Sequence, residues 1–119
     1  MSIPKGSQDL RAEIFEEVQP AVNAVPDKDS AISLINQNIQ MTQALEYTGL
    51  SKLEGTPFYK KYLQSYETAA QLALKFHVLP EVVLGYAYRL KLLGMHSSAH
   101  ALEHALEANA GLFDKELAG

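Results

Sequence analysis

The sequence predicts an all-α fold, a compact bundle of four to five helices joined by short loops. Apolar residues recur every three or four positions, and glycine or proline closes the segments between them at regular intervals. The Asn-Gly and Asp-Gly pairs typical of tight β-hairpins do not occur. With 119 residues, 47% apolar and 20% charged, we expect a single helical domain over 1–119, with 1–6 and 112–119 as loosely ordered tails.

The first two helices are predicted from their caps and their stops. Ser7 is a suitable N-cap for the first helix, and Pro20 is expected either to end it or to kink it, with 21–25 continuing as a bent turn, because proline lacks the backbone donor. The sequence Pro-Asp-Lys-Asp-Ser then offers an aspartate or serine cap for a second helix over 31–48, which Gly49 ends. The first helix should bury the stripe Leu10, Ile14, Phe15 and Val18.

The third and fourth helices are the most apolar segments of the chain. Thr56 followed by proline predicts the start of a third helix over 57–78, whose polar residues gather on one narrow stripe. Pro80 begins a fourth helix that is equally apolar and that Gly94 ends. Helices that are apolar over most of their circumference should be hidden from water, either inside this molecule or against another.

A pattern of small and apolar residues spans the end of the third helix and the start of the fourth. Small and apolar side chains stand where a helix-turn-helix packs its two helices together, at Ala73, Phe76, Val78, Val83 and Tyr86. Over about a fifth of the chain, the sequence thus resembles the helix-turn-helix family. The resemblance implies a DNA-binding regulator that uses 69–91, with Lys75, Arg89 and Lys91 as the DNA contacts. The turn departs from the family pattern, because His77 stands where that family usually has glycine.

A fifth helix, from a serine cap at about 97 to about 111, contains a tandem His-Ala-Leu-Glu repeat. A spacing of four places His100 and His104 on one face, where two imidazoles could share a divalent transition metal. The alternative, which we prefer, is a solvated face opposite a buried stripe that contains Leu102. The candidate metal ligands are His96, His100, Glu103, His104 and Glu107.

A row of tyrosines on the third helix gives the preferred functional hypothesis. Tyr59, Tyr62 and Tyr66 lie on one side, with Lys60 and Lys61 between them. Tyrosine is enriched at protein interfaces because its ring is apolar and its hydroxyl is polar. We therefore predict a non-enzymatic interaction module, a regulatory, adaptor or accessory subunit that binds a protein partner or forms a homodimer. In the alternative, the rings pack inward and the hydroxyls reach the rim.

Composition excludes several classes of function. The sequence contains no cysteine, so disulfides, thiolate zinc sites and a cysteine nucleophile are absent. No phosphate-binding glycine loop or Gly-x-Ser-x-Gly motif occurs, and we expect neither enzymatic activity nor a cofactor. The net charge of −4 disfavours nucleic acid, although 52–91 is locally basic. Without an apolar leader or a membrane-length apolar run, we expect a cytoplasmic protein with no membrane partner.

Overall fold

The computed structural model describes residues 7–113. Within this range the chain forms six α-helices and a final 3-10 turn, and it contains no strand. The prediction of an all-α bundle is confirmed, and the five predicted helices gain a sixth, which is a single turn. The elements are α1 (Ser7–Asn23), α2 (Lys28–Glu46), α3 (Leu50–Leu53), α4 (Pro57–Phe76), α5 (Pro80–Leu92), α6 (His96–Ala108) and the 3-10 turn Ala110–Leu112.

Helix α4 is the centre of the bundle. It packs against α1, α2 and α5, while α6 packs mainly on α5. Ten of its side chains are buried: Tyr62, Leu63, Ser65, Tyr66, Glu67, Thr68, Ala69, Ala70, Leu72 and Ala73. The sequence prediction that this helix is hidden from water is therefore confirmed.

The helix boundaries follow the predicted caps at two positions and differ at α1. The Asp27 carboxylate accepts a hydrogen bond of 2.8 Å from the Ser30 amide, and the Thr56 hydroxyl caps α4. Helix α1, however, continues through Pro20 to Asn23. Val18 and Val22, on either side of Pro20, are both buried in the core. We infer that their packing compensates for the backbone hydrogen bond that Pro20 cannot donate.

The connection between α4 and α5 is a tight left-handed turn. His77 and Leu79 have φ values of 58° and 50°, in the region that favours glycine. The amide of Val78, which is fully buried, donates a 3.0 Å hydrogen bond to the Ala73 carbonyl, as in a Schellman motif. His77 therefore adopts the backbone conformation that the glycine of a helix-turn-helix would supply.

The predicted start of the last helix and the predicted C-terminal tail both need correction. Helix α6 begins at His96, with the fully buried Met95 at the N-cap position and no side-chain cap from serine. Leu112 belongs to the 3-10 turn, and Phe113 is only 9% exposed, with its ring edge-on to His77 at 5.8 Å. The tail therefore does not begin at 112, and 1–6 and 114–119 lie outside the described residues.

None of the helices within 7–113 combines the length and the apolar character that crossing a membrane requires.

Candidate protein-interaction surface

Helix α5 carries apolar side chains on two opposite faces. The inner face is buried and consists of Val83, Tyr86, Ala87 and Leu90. On the outer face Leu84, Tyr88 and Leu92 follow one another at intervals of four, which aligns them along the helix, and they are 51%, 59% and 58% exposed. We call these three residues the α5 stripe. The prediction that this helix is hidden from water is confirmed for its inner face. The α5 stripe, in contrast, is exposed in the single chain.

Charged residues stand at both ends of the α5 stripe. Glu81 lies in the first turn of α5 and is exposed, while Arg89 and Lys91 lie in the last turn and are partly exposed. An acid at the start and bases at the end of a helix complement its macrodipole. The stripe therefore has an acidic end and a basic end, which gives it a direction as well as an apolar surface.

Beneath α5, the carboxylate of Glu67 is fully buried and accepts four hydrogen bonds. Arg11 on α1 donates two of 2.8 Å, one to each carboxylate oxygen. The Tyr86 hydroxyl and the Gln71 amide each donate one more at 2.8 Å. The bidentate pair and its neutral donors satisfy the charge, so this cluster ties α1 and α5 to the central helix.

Burial and the charge of Glu67 shift the pKa of the Arg11 guanidinium in opposite directions. Burial lowers the pKa of the Arg11 guanidinium, but the hydrogen bonds and the charge of Glu67 outweigh it, and the net pKa is raised. Burial first, and then the charge and hydrogen bond of Glu67, raise the pKa of the Tyr86 hydroxyl well above its usual value. Both groups therefore stay in the protonation states that the cluster requires.

A second carboxylate cluster holds the C-terminal half of α5. Glu46, near the end of α2, accepts hydrogen bonds from the Tyr62 hydroxyl at 2.7 Å and from Arg89 Nε at 2.9 Å. Arg89 also donates a hydrogen bond of 3.2 Å to the carbonyl of Gly85, one turn earlier in α5. This cluster ties α5 to α2 and α4.

Tyr66 joins the two clusters. Its ring stacks on Tyr86 at a centroid distance of 5.0 Å and stands edge-on to Tyr62 at 5.9 Å. The Arg89 guanidinium lies 5.4 Å from the centre of the same ring, within cation–π distance. A Cβ at Gly85 would lie 2.8 Å from the Tyr66 hydroxyl oxygen, so only glycine allows this close approach. The inner face of α5 is thus fixed along its length, and the stripe stands on a well-supported helix.

The structure places the predicted tyrosine row differently from the sequence hypothesis. Tyr62 and Tyr66 are 0% and 5% exposed, so the prediction that they form a contact surface is wrong. The reason is that α4 is covered on most sides, and the Tyr62 hydroxyl finds its partner inside the molecule. Tyr59 is half-buried and Lys61 is exposed, while Lys60 bonds to two carboxylates of α1, those of Glu13 and Glu17.

The three basic residues suggested by the helix-turn-helix resemblance all have partners within the molecule. Arg89 is paired with Glu46, and Lys91 donates a hydrogen bond of 2.7 Å to Glu103. Lys75 reaches a backbone carbonyl of α1 at 3.4 Å, and its ammonium lies over the ring of the adjacent phenylalanine. A phosphate backbone would have to compete with these contacts.

The candidate metal ligands lie on α6 but are not assembled into a site. His96, His100 and His104 fall at intervals of four on the exposed face of the helix. Glu103 bonds to Lys91, which is the main cause of its lowered pKa, and its other oxygen lies 3.4 Å from His100 Nδ1. Across residues 7–113, no three histidine, aspartate or glutamate side chains are close enough to hold a metal ion.

Sequence reasoning missed both the α5 stripe as a surface and the clusters beneath it. The interval of four in the stripe is readable from the sequence, but nothing local distinguishes the inner apolar face of α5 from the outer one. Comparisons of the chain with protein-family models, with curated proteins and with solved structures find no match. The function is therefore inferred from the fold and from the geometry of α5.

Proposed function

We propose that this chain is a cytoplasmic, non-enzymatic protein-interaction module, a regulatory, adaptor or accessory subunit that binds a protein partner through the α5 stripe. The observation that carries the proposal is the alignment of Leu84, Tyr88 and Leu92, each more than half exposed, along one helix. Large apolar side chains clustered on a surface are typical of interaction sites. Anchors at intervals of four match the apolar face of a partner helix.

The clusters of Glu67 and Glu46 support the same proposal. They fix the inner face of α5 against α4 and α2, so that little conformational freedom is lost when the outer face is covered. Full burial of a side chain of this size is worth about 1.5–3 kcal/mol, and the stripe supplies about half of that for each residue. Tyr88 at its centre belongs to one of the residue types enriched among the residues that dominate binding energy.

Protein binding agrees with the charges of this surface better than DNA binding does. Base edges are read by arginine, lysine, asparagine or glutamine, whereas the exposed side of α5 offers leucine, tyrosine and Glu81. The bases at the end of α5 are already paired with carboxylates, and the chain carries a net charge of −4. These observations favour an apolar protein partner with a charged rim.

Site-specific photo-crosslinking in the native host tests the proposal. A photoreactive phenylalanine replaces Tyr88 in one variant and Phe58 in a matched control, since Phe58 is 56% exposed but lies in the first turn of α4. We expect a discrete protein adduct at position 88 and none at position 58. The adduct should be lost when Leu84→Ser and Leu92→Ser are added. Equal labelling at both positions, or no adduct at 88, would overturn the proposal.

A further inference from the structure

We infer that the partner of the α5 stripe is a second copy of this chain, whose α5 runs antiparallel to the first. This inference rests on the proposed function and names the occupant of the same surface. The outer side of α5 is apolar and carries an acid, Glu81, at its start and two bases, Arg89 and Lys91, at its end, each of which also bonds to a carboxylate of the same chain. A surface of that kind is complementary to itself when one copy is reversed.

The positions on α5 pair about the level of residue 86. Leu84 and Tyr88 lie at equal distances on either side of this level, as do Glu81 and Lys91. In an antiparallel pair related by a twofold axis, each Leu84 therefore faces a Tyr88 of the other copy, and each Glu81 faces a Lys91. The two macrodipoles also oppose each other, which favours this orientation.

The charged ends distinguish the antiparallel pair from a parallel one. In a parallel pair in register, each Glu81 would approach its own counterpart, and the basic ends would also meet, which is unfavourable. In the antiparallel pair both contacts join opposite charges. The Lys91 side chain is 39% exposed although it bonds to Glu103, and an ammonium has three donors, so it has room for a second carboxylate.

The size of the stripe sets the strength of the pair. Leu84 and Tyr88 of each copy meet in this pairing. With roughly 150–250 Å² for a tyrosine, less for a leucine and about half of each exposed, these two side chains contribute on the order of 200 Å² per copy. A standard stable interface buries about 800 Å² per partner. We therefore expect a weak, reversible dimer in rapid exchange with the monomer.

A charge-swap experiment on the purified full chain tests both the dimer and its direction. Glu81→Lys and Lys91→Glu are each made alone, and sedimentation equilibrium is measured for the wild type, for each variant and for their equimolar mixture. Each single variant places like charges opposite each other twice, and we expect its self-association to weaken by about tenfold. In the mixture both contacts join opposite charges again, and we expect association near the wild-type level.

Two controls exclude trivial explanations. Glu103→Gln removes the partner of Lys91 within the monomer but keeps Lys91 itself, and it should not weaken association. Far-UV circular dichroism checks that every variant is folded. A chain that stays monomeric at millimolar concentration, or a mixture as weak as the single variants, overturns the antiparallel dimer.

Failure of the dimer and failure of the proposed interaction surface give different results in the two experiments. An adduct at position 88 with a protein other than this chain, together with a monomeric purified chain, would refute the second copy and keep the interaction surface. An adduct of twice the 13.1 kDa mass of the chain would support both. The absence of any adduct at position 88 would remove both.

Discussion

The fully buried carboxylate of Glu67 is held by the Arg11 guanidinium through two hydrogen bonds of 2.8 Å, one to each oxygen. Because α1 and α4 meet at this pair, the charge of Glu67 matters more than its shape. Glu67→Gln keeps the shape but leaves Arg11 partly buried without a counter-charge. We expect a loss of about 3–5 kcal/mol in the free energy of unfolding, measured by urea denaturation.

The triple variant Arg11→Met, Glu67→Leu, Tyr86→Phe is the control for this prediction, because Tyr86→Phe removes the buried hydroxyl that donates to Glu67. Replacing a buried ion pair by apolar residues of similar volume is often neutral, so the triple variant should lose much less than Glu67→Gln. A Glu67→Gln protein as stable as the wild type would show that the pair is not the contact that joins the two helices.

The buried tyrosines predict a loss of stability at alkaline pH. Burial is the main cause that raises the pKa of Tyr62, Tyr66 and Tyr86 above the ordinary value of 10.0. Since the folded-state pKa exceeds the unfolded one, the stabilisation is complete below pH 10.0 and is lost as the pH rises from there toward the folded-state values. We therefore expect these rings to ionise only as the helices unfold. Phenolate absorbance measures the ionisation, and far-UV circular dichroism measures the unfolding in the same titration.

The urea-unfolded chain provides the reference for that titration, since all six of its tyrosines should then ionise together near the ordinary value. Tyr62→Phe should reduce the amplitude of the late phase. If all six tyrosines of the native protein ionised while the helical signal stayed intact, the burial of these rings would be contradicted.

The contact between Gly85 and Tyr66 predicts an unusual response to alanine. In an exposed helix, Gly→Ala stabilises by about 1 kcal/mol. Here the new methyl group would lie 2.8 Å from the Tyr66 hydroxyl oxygen, and the stacked ring of Tyr86 restricts the movement of Tyr66. We expect Gly85→Ala to lower the free energy of unfolding by about 1–2 kcal/mol and to change the near-UV circular dichroism of the tyrosines.

Tyr66→Phe removes the oxygen atom that the methyl group would strike. In that background Gly85→Ala should be neutral or stabilising, so the two changes should be strongly non-additive. Additive effects would mean that another contact is responsible for the cost.

Much of the fold was predictable because its signals are local. The caps at Asp27 and Thr56 and the apolar circumference of α4 each depend on residues close together in sequence. Pro20 was harder to interpret, since packing outweighed its local effect on α1. The same holds for His77, which adopts a glycine-like conformation within a turn closed by Val78.

The clusters under α5 were not predictable, because their members are distant in sequence. Glu67 belongs to the polar stripe of the predicted third helix, and nothing near it indicates that Arg11, 56 positions earlier, covers it. Tyr62 was assigned to a surface for the same reason: its partner Glu46 comes from α2. Local periodicity gives the faces of a helix, whereas the choice of the covered face depends on the neighbouring helices.

The final residue of the described range, Phe113, is packed against the bundle. The Phe113 side chain is 9% exposed and packs edge-on against His77 in the turn between α4 and α5, whereas its neighbour Leu112 is 61% exposed. Phe113→Ala should therefore lower the free energy of unfolding by about 3 kcal/mol, the lower end for a buried phenylalanine. Leu112→Ala, the matched control, should cost less than about 0.5 kcal/mol. Thermal and urea denaturation of both variants checks the difference, and equal small losses would mean that the C-terminal turn does not contribute to the core.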